Sequence, residues 1–286
     1  MKPIKGELHM SNNYREFNAK LWEKMAEPWD KRRDWQEKSV RPVTDAMLLQ
    51  LKPQSGQTIL ELAGGNGESG LLVAQRLGNH GRLILTDLAP SMVKSAERRG
   101  QELGLSNVEY QAMDAENITL DDNSVDGVLC RWGYMLMPDG DKALAETRRV
   151  LRPSGILTFA VWAEAQENPF FTVPAGVLIE KGFFKPDPSA PNMFTLGSPN
   201  NLAAFVQKAG FSLPVVERVP ITYTFEDSND WWSFVSEFAG PVALTISLLG
   251  EDDQKNVRSE IEQRSEKFRN GERYAFPGVC LVVGTH

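Results

Sequence analysis

The sequence predicts an α/β protein built on a doubly wound, mostly parallel sheet, and three observations carry that prediction. From Thr58 to Val161, short apolar runs alternate with segments of helical periodicity, the rhythm of β-α units whose strands are covered on both faces. The first of these runs leads into Gly64-Gly65-Asn66-Gly67 and then a helix, a turn whose backbone can pass close to a ligand. The chain of 286 residues, with 41% hydrophobic and 24% charged residues, has enough apolar material for one large α/β domain.

Taken in order, Thr58 to Ala63 is the first strand and Ser69 to Leu77 its helix. Arg82 to Thr86 is the second strand; the following helix, Ser91 to Leu103, is opened by Pro90 and closed by Gly104. Val108 to Ala112 and Val125 to Cys130 follow as strands, Asp141 to Leu151 as an amphipathic helix, and Ile156 to Val161 as the fifth strand. The stretch Pro169 to Pro199 reads as a long loop with short helical pieces. Asn200 to Ala209 restores a helix, Val215 to Phe225 alternates as a strand, and Val279 to Gly284 is the final strand. Upstream of the sheet, residues 12–52 read as helical, with Phe17, Leu21, Trp22, Met25 and Trp29 at helical spacing and a break at Pro28. The segment from Glu251 to Arg269 has mixed charges and reads as a solvated helix face.

The dipeptide His9-Met10 resembles a cloning-site junction, so residues 1–9 are set aside as an expression remnant and residues 10–286 are read as one domain. Within it, residues 12–52 form an N-terminal lid, 53–162 a ligand-binding core, and 163–200 and 227–272 two insertions that complete a helical cap. A formal charge of -7 argues against nucleic acid as the main partner, because phosphate recognition needs a basic surface. The uncharged run Phe238 to Gly250 contains Gly240 and Pro241 and falls short of the about 20 apolar residues of a membrane span. Cys130 and Cys280 stand far apart in apolar contexts, with no metal-ligand spacing, and read as reduced, buried thiols. No apolar signal segment is visible, and the expected compartment is the cytoplasm.

The strongest chemical signal is the turn. Gly65, Gly67 and Gly70 satisfy the spacing G-x-G-x-x-G, and Asp87 stands 20 residues after Gly67 at the end of the second strand, where a carboxylate can hold ribose hydroxyls. An adenosine-containing ligand is therefore expected. Glu61, three residues before the turn, would repel a pyrophosphate and suits a ligand carrying an amino group and a sulfonium. A nicotinamide-dependent oxidoreductase stays open as an alternative on the glycine spacing, as does a non-catalytic ligand-binding protein of the same fold.

The pattern Glu61-x-Ala63-x-Gly65-x-Gly67, then Asp87, then Asp114-Ala115, resembles the binding signature of class I S-adenosylmethionine-dependent methyltransferases. Asp126-Gly127-Val128 and the run Arg148-Arg149-Val150-Leu151-Arg152-Pro153-Ser154-Gly155 are similar to segments of the ubiquinone/menaquinone C-methyltransferase-like family, methyltransferase type 11. The likeness covers residues 40–162 well and Ala209-Gly210-Phe211 with the terminal strand more loosely. It implies a Rossmann-like sheet of seven strands with the last one antiparallel, and S-adenosyl-L-methionine as cofactor. It further implies that Asp87 accepts the ribose hydroxyls, Asp114 takes the adenine amino group and the Ala115 amide meets the adenine ring. Leu88 and Met92 would flank that ring. Main-chain groups of Ala63 and Gly65, in the turn with Gly64 and Gly67, and Arg131 after the fourth strand would lie near the methionine moiety. Two departures stand out: Ala63 replaces the family's first turn glycine, which is tolerable at a negative φ, and Ser154 replaces a glycine before strand five.

Methyl transfer needs alignment and exclusion of water more than a nucleophilic triad, and the only histidines are His9, His80 and His286. A base, if the acceptor requires one, would be Tyr134 or Glu164. What the sequence offers at the expected carboxyl edge is aromatic surface: Trp29, Trp132, Tyr134, Trp162, Phe170 and Trp231 are the acceptor-binding candidates. The acceptor is accordingly expected to be a small, partly apolar, cyclic or aromatic molecule, and no metal site is expected.

Overall fold

The computed structural model describes residues 14–187 and 190–286. The expected remnant at residues 1–9 lies outside the described residues. Five parallel strands form the core of the sheet: β1 (Thr58–Glu61), β2 (Arg82–Asp87), β3 (Val108–Ala112), β4 (Val125–Arg131) and β5 (Leu151–Trp162). The long strands β6 (Val215–Phe225) and β8 (Arg273–Thr285) complete it, and a two-residue strand, β7 (Arg269–Asn270), pairs with β8. The order is β3-β2-β1-β4-β5-β8-β6, with β8 antiparallel to both β5 and β6. Seven main strands with an antiparallel last strand thus match the expectation. The chain winds outward from β1 to β3 and then returns to β4, so the order reverses between β1 and β4. At such a switch point the flanking connections diverge and leave a crevice over the carboxyl ends.

The expected helices α3 (Glu68–Leu77), α4 (Pro90–Glu102), α5 (Gly140–Val150) and α7 (Pro199–Lys208) lie within one or two residues of the positions read from the sequence. Three expectations are corrected. The N-terminal helices are α1 (Tyr14–Lys31) and α2 (Arg33–Leu51), and the break falls at Arg32. Pro28 fits inside the last turn of α1, and its carbonyl still accepts from Arg32 N at 3.3 Å. Part of the stretch read as a loop is a regular helix, α6 (Pro169–Glu180). Proline at its first position is preorganised for helix, and burial of Phe170, Val177 and Leu178 offsets the hydrogen bond lost at Pro174. β8 begins at Arg273, six residues earlier than the pattern suggested.

That last difference shapes the molecule. Trp162, the last residue of β5, pairs with Cys280, which pairs with Val219, and the β6–β8 ladder continues to Phe225 opposite Tyr274. The hairpin therefore rises about 20 Å above the carboxyl edge of its parallel neighbours. On this spur sit α8 (Ser228–Ser233), a π-helical turn (Phe234–Phe238), α9 (Pro241–Ser247) and α10 (Glu251–Ser265).

The segment 12–52 is not one unit. α2 buries Val40, Val43, Met47, Leu48 and Leu51 in the main core against β5, β6 and β8. α1 instead packs Leu21, Met25 and Ala26 with Ala89 and Met92 in a separate small cluster.

Candidate functional site

The turn after β1 is fixed by backbone bonds: Gly64 N donates to Thr86 O at 2.8 Å and Gly67 N to Gly64 O at 2.9 Å. Gly65 and Gly67 have positive φ, at 56° and 82°, and so does Ala63, at 51°. Tolerance of alanine at position 63 thus does not come from a negative φ. A left-handed alanine costs about 1–2 kcal/mol, held here by the surrounding bonds. A side chain on Gly65 would meet no protein atom within 4 Å, so the turn faces open space there.

Beneath the turn, Glu61 is buried and its Oε1 accepts from Ser69 Oγ at 2.6 Å. Its other oxygen fills the space over Gly64 and Gly70, where added Cβ atoms would come within 2.9 and 1.9 Å of it. The third glycine of the G-x-G-x-x-G pattern is thus required by the Glu61 carboxylate. Burial pushes Glu61 up to about 7, with the Ser69 hydrogen bond and Arg131 pulling the other way. Beside it, Arg131 donates to Glu68 through two nitrogens at 2.8 and 2.6 Å and to Thr44 Oγ1 at 2.8 Å. The guanidinium also lies over the Trp132 ring at 4.7 Å. Arg131 therefore stands at the end of β4 as expected, with its charge already engaged by the first residue of α3.

Asp87 closes the other side. Its Oδ2 accepts from Gly65 N and its Oδ1 from Ala89 N, both at 2.9 Å, and burial pushes its carboxyl up to about 6. Leu88 is half-buried, while Met92 lies beneath α1 in the small cluster. After β3, Asp114 accepts from Glu116 N at 2.9 Å, Ala115 is half-buried against the core, and Arg15 of α1 pairs with both Asp114 and Glu116.

The aromatic candidates separate into three groups. Trp132 and Trp162, at the ends of β4 and β5 on the carboxyl edge of the sheet, stack at 4.6 Å and are both buried. Trp132 holds a φ of 61°, an outlier for a bulky side chain. Trp29 stacks on Phe238 of the π-helical turn at 4.6 Å and ties α1 to the cap. The others are corrected. Tyr134 turns into the core, its hydroxyl 2.7 Å from Thr147 Oγ1, and burial raises its pKa well above the ordinary value, so it is neither a base nor an acceptor contact. Trp231 is fully buried in the spur, donating to Ser265 Oγ at 3.1 Å and packed on Phe276. Phe170 is fully buried between Trp162 and Tyr223. Glu164 is exposed and accepts from Gln166. Sequence reasoning missed Tyr223 and Gln36, whose side chains hydrogen-bond at 3.3 Å and bring a buried phenol within electrostatic reach of Arg131 and Glu68. The alternation of β6 could have placed Tyr223 on the inner face, but not beside α2.

The raised carboxyl of Glu61 predicts a pH effect. Its stabilising contribution is complete below the ordinary carboxylate range and is lost as pH rises through about 7. The stability of the protein relative to Glu61→Gln should therefore decline between pH 5 and 8, by roughly 2 kcal/mol. Parallel thermal melts of the two proteins check this; a constant difference would contradict it.

Among known proteins, the profile of a methyltransferase domain matches residues 59–155. The ubiquinone/menaquinone biosynthesis C-methyltransferase UbiE of Escherichia coli is 37% identical over 103 residues, 36% of this chain and 41% of the relative. The chain thus matches about two-fifths of the length of such curated relatives. Among solved structures, a candidate methyltransferase of Bacillus halodurans superposes with a TM-score of 0.59 at 19% identity, covering 85% of this chain and 97% of the other. The [4+2]-cyclase SpnF superposes at 0.54 and 18% identity, covering 92% and 95%. These two likenesses concern the fold. Residues 59–155, which hold the glycine turn, Glu61, Asp87, Asp114 and Arg131, are thus similar to a methyltransferase domain.

Proposed function

We propose that the protein is an S-adenosylmethionine-dependent methyltransferase acting on a small, partly apolar, cyclic or aromatic acceptor. The observation that carries this reading is the Asp87 carboxylate bonded to Gly65 N across a turn that is open to a ligand, with the Glu61 carboxylate against the first turn of α3 beneath it. A helix N-terminus is where a dinucleotide would rest its pyrophosphate, and a carboxylate there opposes it. This weighs against the nicotinamide reading. When bound, the cofactor supplies a methyl group on a positively charged sulfur, already activated for in-line transfer. The chain's part is to hold the ribose at Asp87 and the adenine at Asp114, to seat the methionine end against the turn, and to exclude water. Trp132, Trp162 and Trp29 would wall the acceptor, and aromatic faces favour a nearby cation by about 0.5–2 kcal/mol. α1 is the lid in this reading, since it covers Ala89 and Met92 on the adenine side.

The same fold serves the [4+2]-cyclase SpnF, so fold by itself does not assign methyl transfer. Calorimetry with S-adenosylmethionine and NAD side by side tests the cofactor. The first should bind and the second should not. Asp87→Ala should weaken binding of S-adenosylhomocysteine by about 1.5–3 kcal/mol, the scale of charge-assisted hydrogen bonds. An unchanged dissociation constant in that variant would defeat the assignment. Appearance of S-adenosylhomocysteine with methylated product from a panel of cyclic and aromatic acceptors tests the reaction.

A further inference from the structure

Arg15, in the first turn of α1, forks two carboxylates, with Nη1 on Asp114 Oδ2 and Nη2 on Glu116 Oε2. The two acids differ. The Glu116 side chain is 2% exposed and its Oε1 accepts from Asp139 N at 2.9 Å, whereas the Asp114 side chain is 32% exposed. Removing Arg15 would leave Glu116 as a buried charge without its cation, so the Glu116 arm is the anchor. The Asp114 arm faces the more open side. Carboxylates two residues apart repel each other; a shared guanidinium offsets that repulsion and fixes the second in one rotamer.

We infer that Arg15 is a positioning residue for adenine recognition. It holds the Asp114 carboxylate oriented toward the adenine 6-amino group, and it couples the seating of α1 to occupancy of that site. The inference rests on the role given to Asp114 in the proposed function. A carboxylate oxygen accepts more than one hydrogen bond, so guanidinium and amino group can share it. Coupling is reciprocal: a ligand that engages Asp114 stabilises α1 in place.

The test measures dissociation constants of S-adenosylhomocysteine and of its analogue with hydrogen in place of the 6-amino group, for the wild type, R15Q, R15K and D114N. R15Q should weaken S-adenosylhomocysteine by roughly tenfold and leave the analogue nearly unchanged. R15K, which keeps the charge and loses the fork, should recover part of the loss. Amide exchange in α1 should slow when S-adenosylhomocysteine binds the wild type, and slow less in R15Q. Equal weakening of both ligands, or no weakening, overturns the inference. Should R15Q fail to fold, the same comparison in R15K decides, a selective loss supporting the inference and an equal or absent one overturning it. If D114N weakens both ligands by the same factor, the adenine assignment itself fails; if D114N weakens S-adenosylhomocysteine selectively and the Arg15 variants do not, the inference alone fails.

Discussion

Gly65→Val should abolish binding of S-adenosylhomocysteine in a protein that still folds, whereas Gly70→Val should cost the fold itself. The two glycines are five residues apart in one motif, yet their surroundings are opposite. At Gly65 a side chain would enter space free of protein atoms, the space assigned to the ligand, so the loss falls on binding. The positive φ adds backbone strain of about 1–3 kcal/mol, which should lower the melting temperature without unfolding the sheet. At Gly70 a Cβ would stand 1.9 Å from the Glu61 carboxylate and 3.1 Å from Leu83. Glu61 cannot retreat, because it ends a buried strand and is tied to Ser69. Even Gly70→Ala should cost about 1–3 kcal/mol from overpacking, and valine more. Calorimetry and thermal melts on the two variants read the contrast. Normal binding by Gly65→Val would put the ligand elsewhere, and an unshifted melt for Gly70→Ala would mean the carboxylate is not held where the structure has it.

Deleting residues 1–31 should leave a folded protein whose turnover falls by about 100-fold, while deleting residues 1–40 should destabilise it strongly. α1 rests on a small cluster apart from the main core and on ion pairs such as Asp30 with Arg98; its loss also takes the cation from buried Glu116, so the melting temperature should fall while the sheet and its main core persist. Its loss uncovers Met92 and removes Trp29 from Phe238, so the proposed lid and one proposed wall of the acceptor space go together. Cutting nine residues further removes Trp35 from its stack on Tyr223 at 5.0 Å, Gln36 from the Tyr223 hydroxyl, and the fully buried Val40. Each large apolar side chain lost from a core costs roughly 1.5–3 kcal/mol. Circular dichroism melts separate the two deletions, and turnover on an acceptor methylated by the full chain separates lid from padding. Full activity without α1 would leave the acceptor pocket to the cap alone.

The parallel half of the fold was determined by the sequence itself. Strand β3 and the ends of β1, β2 and β4 are set by apolar runs against glycine, proline and charge, which are local signals. Because a ligand in such a sheet sits at the carboxyl ends of the strands, Glu61 and Asp87 are legible from spacing alone, whereas Arg131 follows only from the family resemblance. What only the tertiary structure decided depends on which face a residue turns inward and on partners distant in the chain. Tyr134 follows a strand end just as Trp132 does, yet it turns to Thr147 while Trp132 stacks on Trp162. Trp231 was legible as a large aromatic, but the six-residue overhang of β6 and β8 buried it in the spur. Ala63 carries no mark of its left-handed backbone, since that conformation is imposed by Gly64 bonding to the neighbouring strand. Arg15 meets Asp114 and Glu116 across about 100 residues, and only the seating of α1 against α4 brings the three charges together. Periodicity reports the environment of a segment; the contacts of a side chain follow from packing, which sequence spacing does not encode.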